Sequence, residues 1–460
     1  MLASVLNGTE LACLDLSNTA LDCKRLKMIV NGLEGTSITT LNLSSNKIGV
    51  EGLKCLGGVL KNTSITAIDI SENKLNYDCI DVFAPYLVGS NITSLNLSSN
   101  KVGDDGVNCL ANILKNQDTH IESIDLGFNF LFDLQTLADC LPNTRIKSLC
   151  LKGNYQSNFQ RSAVFQHFSK QLTKITSINL SKCNLSCDDL KLFASGLALS
   201  NNTSLKSLIL SQSEIDPDGI ITLLGILKRH EITHLDISYS CGKQTCSQLL
   251  ACLNQTSVES LNFEGNEMDY QSLGEGLVNS RINSIYLGYH QLPYKLTSDV
   301  RCANFFASLK FNSSITSLKL DCICYADSAI KELVSVLEFT SITSLSLLSL
   351  GEFSSECNTL TDLILRLPAT KITSLNLNGS KICGNIFYLA SVLELTGITS
   401  LDLSDCTIFE GNHISEVQNK IDSNDDGSLN LRNRCLCFFS VCYLARQLCQ
   451  GKFKKLNPVR

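Results

Sequence analysis

The residues of this sequence best suited to metal binding or catalysis are its 22 cysteines and six histidines. Two short pairs, Cys322-x-Cys324 and Cys435-x-Cys437, have the spacing of half a zinc site. A zinc site needs four ligands, and neither pair has a second Cys or His pair at ligand spacing. We therefore expect structural thiols, such as a buried Cys109, and neither a bound metal nor a cofactor.

An acidic loop near the C-terminus suggests a different chemistry. Asp422, Asn424, Asp426 and Gly427 occupy positions 1, 3, 5 and 6 of a calcium-binding EF-hand loop. At position 12, however, Asn433 replaces the bidentate glutamate. Calcium binding is thus the weaker of two interpretations, and a degenerate structural repeat is the stronger.

Local signatures of catalysis are missing from the sequence. No glycine-rich phosphate loop of the GxxxxGK or GxGxxG form follows an apolar strand, and no local motif pairs a cysteine with a histidine. We therefore expect that the protein is not an enzyme.

Composition limits the remaining function classes. Apolar residues make up 44% and charged residues 18%, which is enough for a large folded core. The net charge of −6 disfavours a nucleic-acid partner, which would need a basic surface. The N-terminus lacks the basic and apolar regions of a signal peptide, and no apolar run is long enough to span a membrane. We therefore expect a cytoplasmic protein with reduced thiols.

A repeat governs the sequence. The segment from Ile38 to Asn46 recurs as Ile92 to Asn100, in the frame L-x-x-L-x-L-x-x-N. The frame occurs fifteen times with a mean period of about 28 residues, which indicates a repeat architecture. Its first apolar residue, near which each strand should start, is at position 11, 38, 65, 92, 121, 146, 175, 205, 232, 258, 282, 315, 342, 372 or 398.

Each repeat has two halves with different periods. The L-x-x-L-x-L half alternates as a strand does. The second half is helical, because Leu53, Leu56 and Leu60 form one apolar stripe at spacings of three and four. Between the halves, Asn46 can satisfy backbone groups in the turn that leaves the strand.

The stretch from Leu41 to Asn62 carries a family resemblance, with Gly-x-x-Gly before the helix and Leu-Lys-Asn at its end. The units resemble leucine-rich repeats of the ribonuclease-inhibitor type, which are similar to those of cytosolic immune sensors, RanGAP and effectors of intracellular bacteria. The resemblance covers about residues 1–410 and implies an α/β horseshoe solenoid of about 15–16 repeats. Parallel strands would line its concave face and helices its convex face. Stacking is required, since one repeat alone cannot bury its apolar side chains.

The last fifty residues, 411–460, differ from the array. Leu429 and Leu431 follow Leu401 and Leu403 by 28 residues, so we expect a degenerate sixteenth repeat. The apolar segment 435–445 is expected to form a capping helix, with a basic tail after it. A membrane-surface or acylated anchor is the alternative, because thiols beside basic residues supply the two signals that stable anchoring needs.

Four positions of the frame, the third, fifth, seventh and eighth, should face the concave side. In the front repeats they are polar filler, for example Thr40, Asn42, Ser44 and Ser45. The central repeats differ, and tyrosines with charged side chains on a polar scaffold are typical of a binding hot spot. An insert at 290–300 should form an extra loop, either neutral or used for binding. The predicted partner-binding residues are His234, Asp236, Tyr239, Glu264, Tyr286, Tyr289, His290, Lys319 and Asp321, with Phe128 and Lys152 further forward.

We predict a non-catalytic, monomeric scaffold that binds a partner protein on its concave surface. It would bind no nucleic acid and would touch a membrane only through its tail. Its origin is either a bacterial effector acting on a host protein or a cytosolic eukaryotic repeat protein. Alternatives are a GTPase activator, an enzyme or ubiquitin-pathway adaptor on the same scaffold, and a membrane-recruited adaptor. GTPase activation of the RanGAP kind implies a catalytic arginine in an early turn, where this chain has Lys47, Lys74 and Lys101.

Overall fold

The structure is a computed structural model of the chain. Its contacts group the chain into two compact units, residues 1–240 and 241–460. Several predicted features lie outside the described residues: the acidic loop at 422–427, the apolar segment 435–445, both Cys-x-Cys pairs, and the insert that follows Tyr289 and His290. The structure describes residues 10–154, 161–267, 269–288, 300–321, 327–350, 358–380, 382, 388–389, 392–393, 395–406, 428–430 and 455–457.

The first unit alternates short parallel strands with helices. Neighbouring strands pair in chain order and in register, for example Leu41 beside Ile68. The strands are β1 (Cys13–Asp15), β2 (Thr40–Asn42), β3 (Ala67–Asp69), β4 (Ser94–Asn96), β5 (Ser123–Asp125), β6 (Ser148–Cys150), β7 (Ser177–Asn179), β8 (Ser207–Ile209) and β9 (His234–Asp236). The helices are α1 (Cys23–Val30), α2 (Gly49–Leu60), α3 (Tyr77–Phe83), α4 (Gly103–Leu114), α5 (Gln135–Cys140), α6 (Arg161–Lys170), α7 (Cys187–Leu199) and α8 (Pro217–Arg229).

The second unit continues the same alternation, again with parallel strands paired in chain order. Its strands are β10 (Ser260–Asn262), β11 (Ser284–Leu287), β12 (Ser317–Asp321), β13 (Ser344–Leu348), β14 (Ser374–Asn376), β15 (Ser400–Asp402), β16 (Ser428–Asn430) and β17 (Lys455–Asn457). The helices of its described residues are α9 (Lys243–Leu250), α10 (Tyr270–Leu277), α11 (Val300–Ser308), α12 (Asp327–Val336) and α13 (Asn358–Arg366).

The repeat frame places every one of these first fifteen strands. Each strand begins two residues after the predicted first apolar residue, so the repeat fold class is confirmed. In β2 and the residue after it, Leu41 and Leu43 are buried, while the alternate positions Thr40 and Asn42 reach the other face. The leucines of the frame therefore form the core, as period-two alternation requires.

The C-terminal region holds two further strands. In β16, Leu429 pairs with Leu401 of β15, which is the spacing expected of a sixteenth repeat. Strand β17 lies in the stretch where the sequence suggested only a basic tail, and it pairs Leu456 with Leu429. With Leu456 as its one apolar residue, this strand is too short for an alternating pattern to be recognised among the basic residues around it.

The helical halves cover the core with one stripe each. Leu53, Leu56 and Leu60 of α2 are completely buried, as their spacing predicted. Gly49, at φ +63°, lets the chain turn from the strand into this helix through the left-handed region. The helix then returns the chain to the start of the next strand, and stacked repeats share one apolar layer.

The asparagine that closes the frame holds each repeat to the one before it. The side chain of Asn100 is buried, and its Oδ1 accepts hydrogen bonds from the N–H groups of Asn73 at 2.9 Å and Leu75 at 3.0 Å. Its Nδ2 donates to the carbonyls of Ile70 at 3.1 Å and Leu97 at 2.9 Å. One amide thus satisfies donors and acceptors that no strand or helix pairs.

Cysteine replaces this asparagine in two repeats. Cys183 points its thiol at the carbonyl of Leu151 at 3.3 Å, and Cys406 points its thiol at the carbonyl of Leu377 at 3.0 Å. A thiol can donate one weak hydrogen bond and so keeps only part of the amide's role. These cysteines are structural, as the sequence suggested for most of its thiols.

A second recurring polar residue ends each helical half. Thr63, for example, donates through Oγ1 to the carbonyl of Leu60 at 2.9 Å. His230 occupies the same slot after α8, and its buried Nδ1 lies 2.9 Å from the carbonyl oxygen of Asn202. Burial lowers the pKa of His230, because the charged imidazolium would lose its hydration.

The Asn100→Ala substitution should destabilise the first unit. It leaves the buried N–H groups of Asn73 and Leu75 without their acceptor, so we expect the free energy of unfolding to fall by about 2–4 kcal/mol in urea. The control is Asn108→Ala on the exposed face of α4, which should change it by less than about 0.5 kcal/mol. Equal effects of the two variants would contradict the role of the asparagine amide.

The His230→Thr substitution should make stability less sensitive to acid. The lowered pKa means that the unfolded chain takes up a proton near pH 6.5 while the folded chain resists it. This contribution is present above that pH and is lost as pH falls. We expect the urea midpoint to drop less between neutral and acidic pH in the variant, whereas His234→Thr, on an exposed ring, should behave as the wild type. An unchanged acid profile of His230→Thr would refute this assignment.

Candidate functional site

The strand face consists of the side chains at the third, fifth, seventh and eighth frame positions. They alternate with the buried leucines, as Asn42 and Ser44 do beside Leu43. The eighth position has a left-handed backbone in many repeats, for example at Ser45 with φ +54° and Ser99 with φ +55°. Side chains here project from a sharp turn, where a rigid backbone fixes their direction.

The fifth position has a structural task that the prediction of polar filler missed. Asn42 accepts through Oδ1 the N–H of Ser44 at 3.0 Å, and Asp69 does the same for Ser71 at 2.9 Å. Such side chains replace a backbone partner in the turn. The filler interpretation was therefore wrong for this position, because its carboxylates and amides hold the turn.

Three of the predicted binding residues lie on β9 and its turn in the first unit. His234 is exposed, and its Nδ1 lies 2.9 Å from Oγ1 of Thr233. Asp236 accepts both the N–H and the hydroxyl of Ser238, at 2.9 and 2.7 Å, so it belongs to the turn-holding set. Tyr239 is 37% exposed at φ +55°. The ring and the imidazole are the members of this group available for recognition.

Four other predicted residues converge in the second unit around Gly288, and we call them the Tyr286 cluster: Glu264, Tyr286, Lys319 and Asp321. A Cβ atom at Gly288 would stand 3.0 Å from Cβ of Asp321, 3.2 Å from Cε2 of Tyr286 and 3.3 Å from Cγ of Glu264. A residue without a side chain is what lets these three groups approach one another. The sequence named the residues but gave no sign of Gly288 as their common neighbour.

A lysine lies over the aromatic ring of this cluster. Tyr286 pairs with Lys319 across β11 and β12, and Nζ of Lys319 lies 4.0 Å from the ring centroid. Both side chains are half-buried. A cation at this distance from a tyrosine face is attracted to it by about 0.5–1 kcal/mol at an exposed site. The contact holds the ring and the ammonium group in one orientation.

The remaining two predicted residues, Tyr289 and His290, lie outside the described part of the chain. The predicted set therefore falls into a group on β9 in one unit and the Tyr286 cluster in the other. Side-chain proximity is established within the Tyr286 cluster, where sequence alone offered only adjacent frame positions.

The described thiols are poor nucleophiles. Burial raises the pKa of Cys140 to about 11 and, with a contribution from Asp125, that of Cys150 to about 12. Cys109 is only half-buried, so the expectation that it is a buried thiol was wrong. The thiol of Cys109 donates to Asp81 Oδ1 at 3.5 Å. Burial is the main cause that raises the pKa of Cys109, and the Asp81 carboxylate is the second cause.

Histidine contacts give no catalytic pair either. The four described histidines with side-chain contacts are each within hydrogen-bond distance of an oxygen atom, as His167 is of Asp139 at 2.7 Å and His120 of the Ser90 carbonyl at 3.1 Å. Across the described residues, no group of three or more His, Cys, Asp and Glu side chains could hold a metal ion. Helices long and apolar enough to cross a bilayer are likewise missing from that part of the chain.

The sequence predicted only part of a group of aromatic and basic residues in the first unit. Phe128 and Lys152 were noted from the sequence, but Phe130, Phe132 and Lys182 were not. Phe130 and Phe132 lie beyond the eighth frame position and so outside the four positions expected on the strand face. Three phenylalanines at alternate positions after β5 were the signal that could have identified them.

Comparison with sequence families identifies the repeat. The model of the leucine-rich repeat matches residues 36–57, 90–111 and 201–224. These segments contain the frames that start at 38, 92 and 205. A comparison with curated proteins gives no match. These three segments of the chain thus match leucine-rich repeats.

Solved structures give similar folds at low sequence identity. An internalin, InlF, from Listeria monocytogenes is 19% identical with a TM-score of 0.37, over 80% of this chain and 89% of that chain. The leucine-rich-repeat protein LegL7 from Legionella pneumophila is 20% identical with a TM-score of 0.38, over 73% and 93%. The complex of Rad7 and Elc1 from yeast is 13% identical with a TM-score of 0.47, over 90% of this chain and 85% of that chain.

Thiol labelling should separate exposed from buried cysteines. Cys13 is exposed on β1, whereas at about pH 8 a thiol of pKa about 11, such as Cys140, is ionised to on the order of one part in a thousand. We expect iodoacetamide to modify Cys13 first and Cys140 and Cys150 much more slowly, as followed by mass spectrometry of the native protein. Labelling of Cys140 or Cys150 ahead of Cys13 would reveal an activated thiol and reopen the catalytic alternative.

Proposed function

We propose that this leucine-rich-repeat array is a non-catalytic scaffold that binds a partner protein on its strand face, with the Tyr286 cluster as the centre of the contact. The observation that carries the proposal is the packing of Lys319 over Tyr286 beside Glu264 and Asp321. An aromatic ring that is already oriented loses little entropy when a partner covers it. Residues of this kind often dominate the energy of an interface.

The charges of the Tyr286 cluster favour a basic partner. Two carboxylates and one ammonium group surround the ring, and the chain carries a net charge of −6. An arginine or lysine on the partner would meet Glu264 and Asp321 while an apolar part of it packs on the ring. Such complementarity speeds association and weakens as salt concentration rises.

We extend the proposal to a reducing compartment, the cytoplasm. Cys183 and Cys406 donate their thiol hydrogens in the asparagine position, which an oxidised sulfur cannot do. The thiol labelling above, carried out on protein recovered from its native cell without reductant, tests this, and oxidised Cys183 or Cys406 would contradict it.

The Tyr286→Ala/Lys319→Ala double variant should lose the partner. Quantitative affinity purification with the full chain as bait would compare it with the wild type, and the affinity for any partner that contacts the Tyr286 cluster should fall at least about tenfold. Partners retained by a folded double variant would place the contact elsewhere on the array and contradict the proposal.

Two controls make this comparison interpretable. Tyr388→Ala removes a tyrosine that is 61% exposed in a helical turn, so it should retain the partner. Matching circular-dichroism melts of all three proteins exclude loss of binding through unfolding. The Lys319→Gln variant alone removes the cation over the ring, and it should weaken binding by less than the double variant.

A further inference from the structure

Three phenylalanines and two lysines form an exposed group in the first unit, which we call the phenylalanine patch: Phe128, Phe130, Phe132, Lys152 and Lys182. The exposed fractions of the three phenylalanines are 39%, 61% and 52% in chain order. Three such side chains within five residues form a dense apolar cluster, and clustered exposed apolar residues mark interaction sites.

The patch departs from the repeat at identifiable positions. Phe130 occupies the tenth frame position, where Lys47, Lys74 and Lys101 occur in three preceding repeats. Phe128 and Phe130 both have left-handed backbones, with φ +54° and +59°. This region is uncommon for bulky residues and raises conformational energy. The folding of the repeat therefore gains nothing from these two rings, which other repeats do without.

The two lysines flank the ring of Phe128. Nζ of Lys152 and Nζ of Lys182 each lie 5.9 Å from the ring centroid. Neither ammonium group forms an ion pair with any residue that the structure describes. Gly153, at φ +69°, gives the ring its place, because a Cβ atom there would overlap the Phe128 ring. The patch is thus apolar with a positive border.

We propose that the phenylalanine patch binds a short, extended acidic peptide segment of a partner protein. Two carboxylates of the segment would pair with Lys152 and Lys182, and an aliphatic or aromatic side chain beside them would pack on Phe130 and Phe132. Burying both ammonium groups against carboxylates in an apolar setting strengthens each pair relative to open water. The proposal concerns a surface in the other unit and does not depend on the Tyr286 cluster.

The spacing of the lysines sets the spacing of the acidic residues. Since each Nζ lies 5.9 Å from one centroid, twice that distance, about 12 Å, is the largest separation between them. An extended chain advances about 3.3 Å per residue, so carboxylates two or three residues apart span roughly 7–10 Å. The segment should therefore contain two acidic residues at most about three positions apart, with an apolar residue close by.

Carboxylates near the patch favour a peptide over a nucleic-acid strand. Asp104 accepts the N–H groups of Phe132 at 2.9 Å and Asp133 at 3.1 Å, and Asp125 accepts the N–H of Gly127 at 2.8 Å. A continuous phosphate backbone would meet these negative charges as well as the two lysines, and nucleic-acid sites need a broader basic surface. A short peptide that carries only two carboxylates, both placed at the lysines, meets less of this repulsion than a continuous phosphate backbone does.

Selection from a phage-displayed library of random short peptides on the immobilised full chain tests the proposal. We expect enrichment of peptides with two acidic residues at most about three positions apart and a neighbouring apolar residue. A synthetic peptide of the enriched sequence, measured by fluorescence anisotropy, should bind the Lys152→Gln/Lys182→Gln variant at least about tenfold more weakly. The Tyr286→Ala/Lys319→Ala variant should bind this peptide as the wild type does, which separates this test from that of the proposed function.

A second variant separates the apolar contribution from the charge. Phe130→Lys restores the residue found at Lys47, Lys74 and Lys101, so the variant is compatible with the fold. It should retain the preference for acidic residues but lose the preference for the apolar one.

Two outcomes would overturn the proposal. Enrichment of peptides without acidic residues, or equal binding by the Lys152→Gln/Lys182→Gln variant, would remove the role of the lysines. The second outcome combines two results. The wild type, but not the Lys152→Gln/Lys182→Gln variant, would sediment with vesicles of phosphatidylserine and phosphatidylcholine, and no peptide would be enriched. This outcome would assign the patch to an anionic lipid surface instead.

Discussion

The buried side-chain amide that ends six of the fifteen repeat frames is the interaction on which these repeats depend, and a buried serine or cysteine takes its place in five others. Each three-residue strand is too short to satisfy its own turn, and Asn100 and its equivalents supply the missing donors and acceptors across the boundary between repeats. Because the amide fixes the turn, the residue before it can adopt a left-handed backbone and project its side chain outward. Tyr239 projects from an equivalent turn in which Ser240 takes the place of the amide, because its Oγ accepts the N–H of Ser213 at 3.1 Å and donates to the carbonyl of Leu210 at 3.0 Å.

The repeat fold was predictable because its signal is repeated. A single L-x-x-L-x-L frame is ambiguous, but fifteen frames at a near-constant period leave little choice of architecture, and each predicted strand has its place. The prediction failed where no neighbour repeats the pattern. Strand β17 at Lys455–Asn457 has a single leucine between polar residues, and the half-buried state of Cys109 depends on helix packing that the frame does not encode.

The candidate site was predictable in composition and less so in arrangement. Tyr286 and Lys319 stand out at strand-face positions, but their mutual contact depends on side-chain rotamers and on the absence of a side chain at Gly288. Asp236 was assigned to recognition because it is charged, whereas it holds its own turn in the same way as Asn42. A residue type that the fold requires at every repeat carries little information about function, and a departure such as Phe130 carries more.

The reach of the asparagine amide has a consequence for how such a chain can change over evolutionary time. Oδ1 and Nδ2 of Asn100 contact only their own repeat and the preceding one, some 25 to 30 residues away. Gain or loss of one whole unit by unequal recombination therefore leaves every amide with a complete set of partners. A fractional unit would leave an amide facing the wrong backbone groups. The number of whole repeats can therefore change without the loss of these hydrogen bonds, whereas a change in the position of the frame within a repeat would break them.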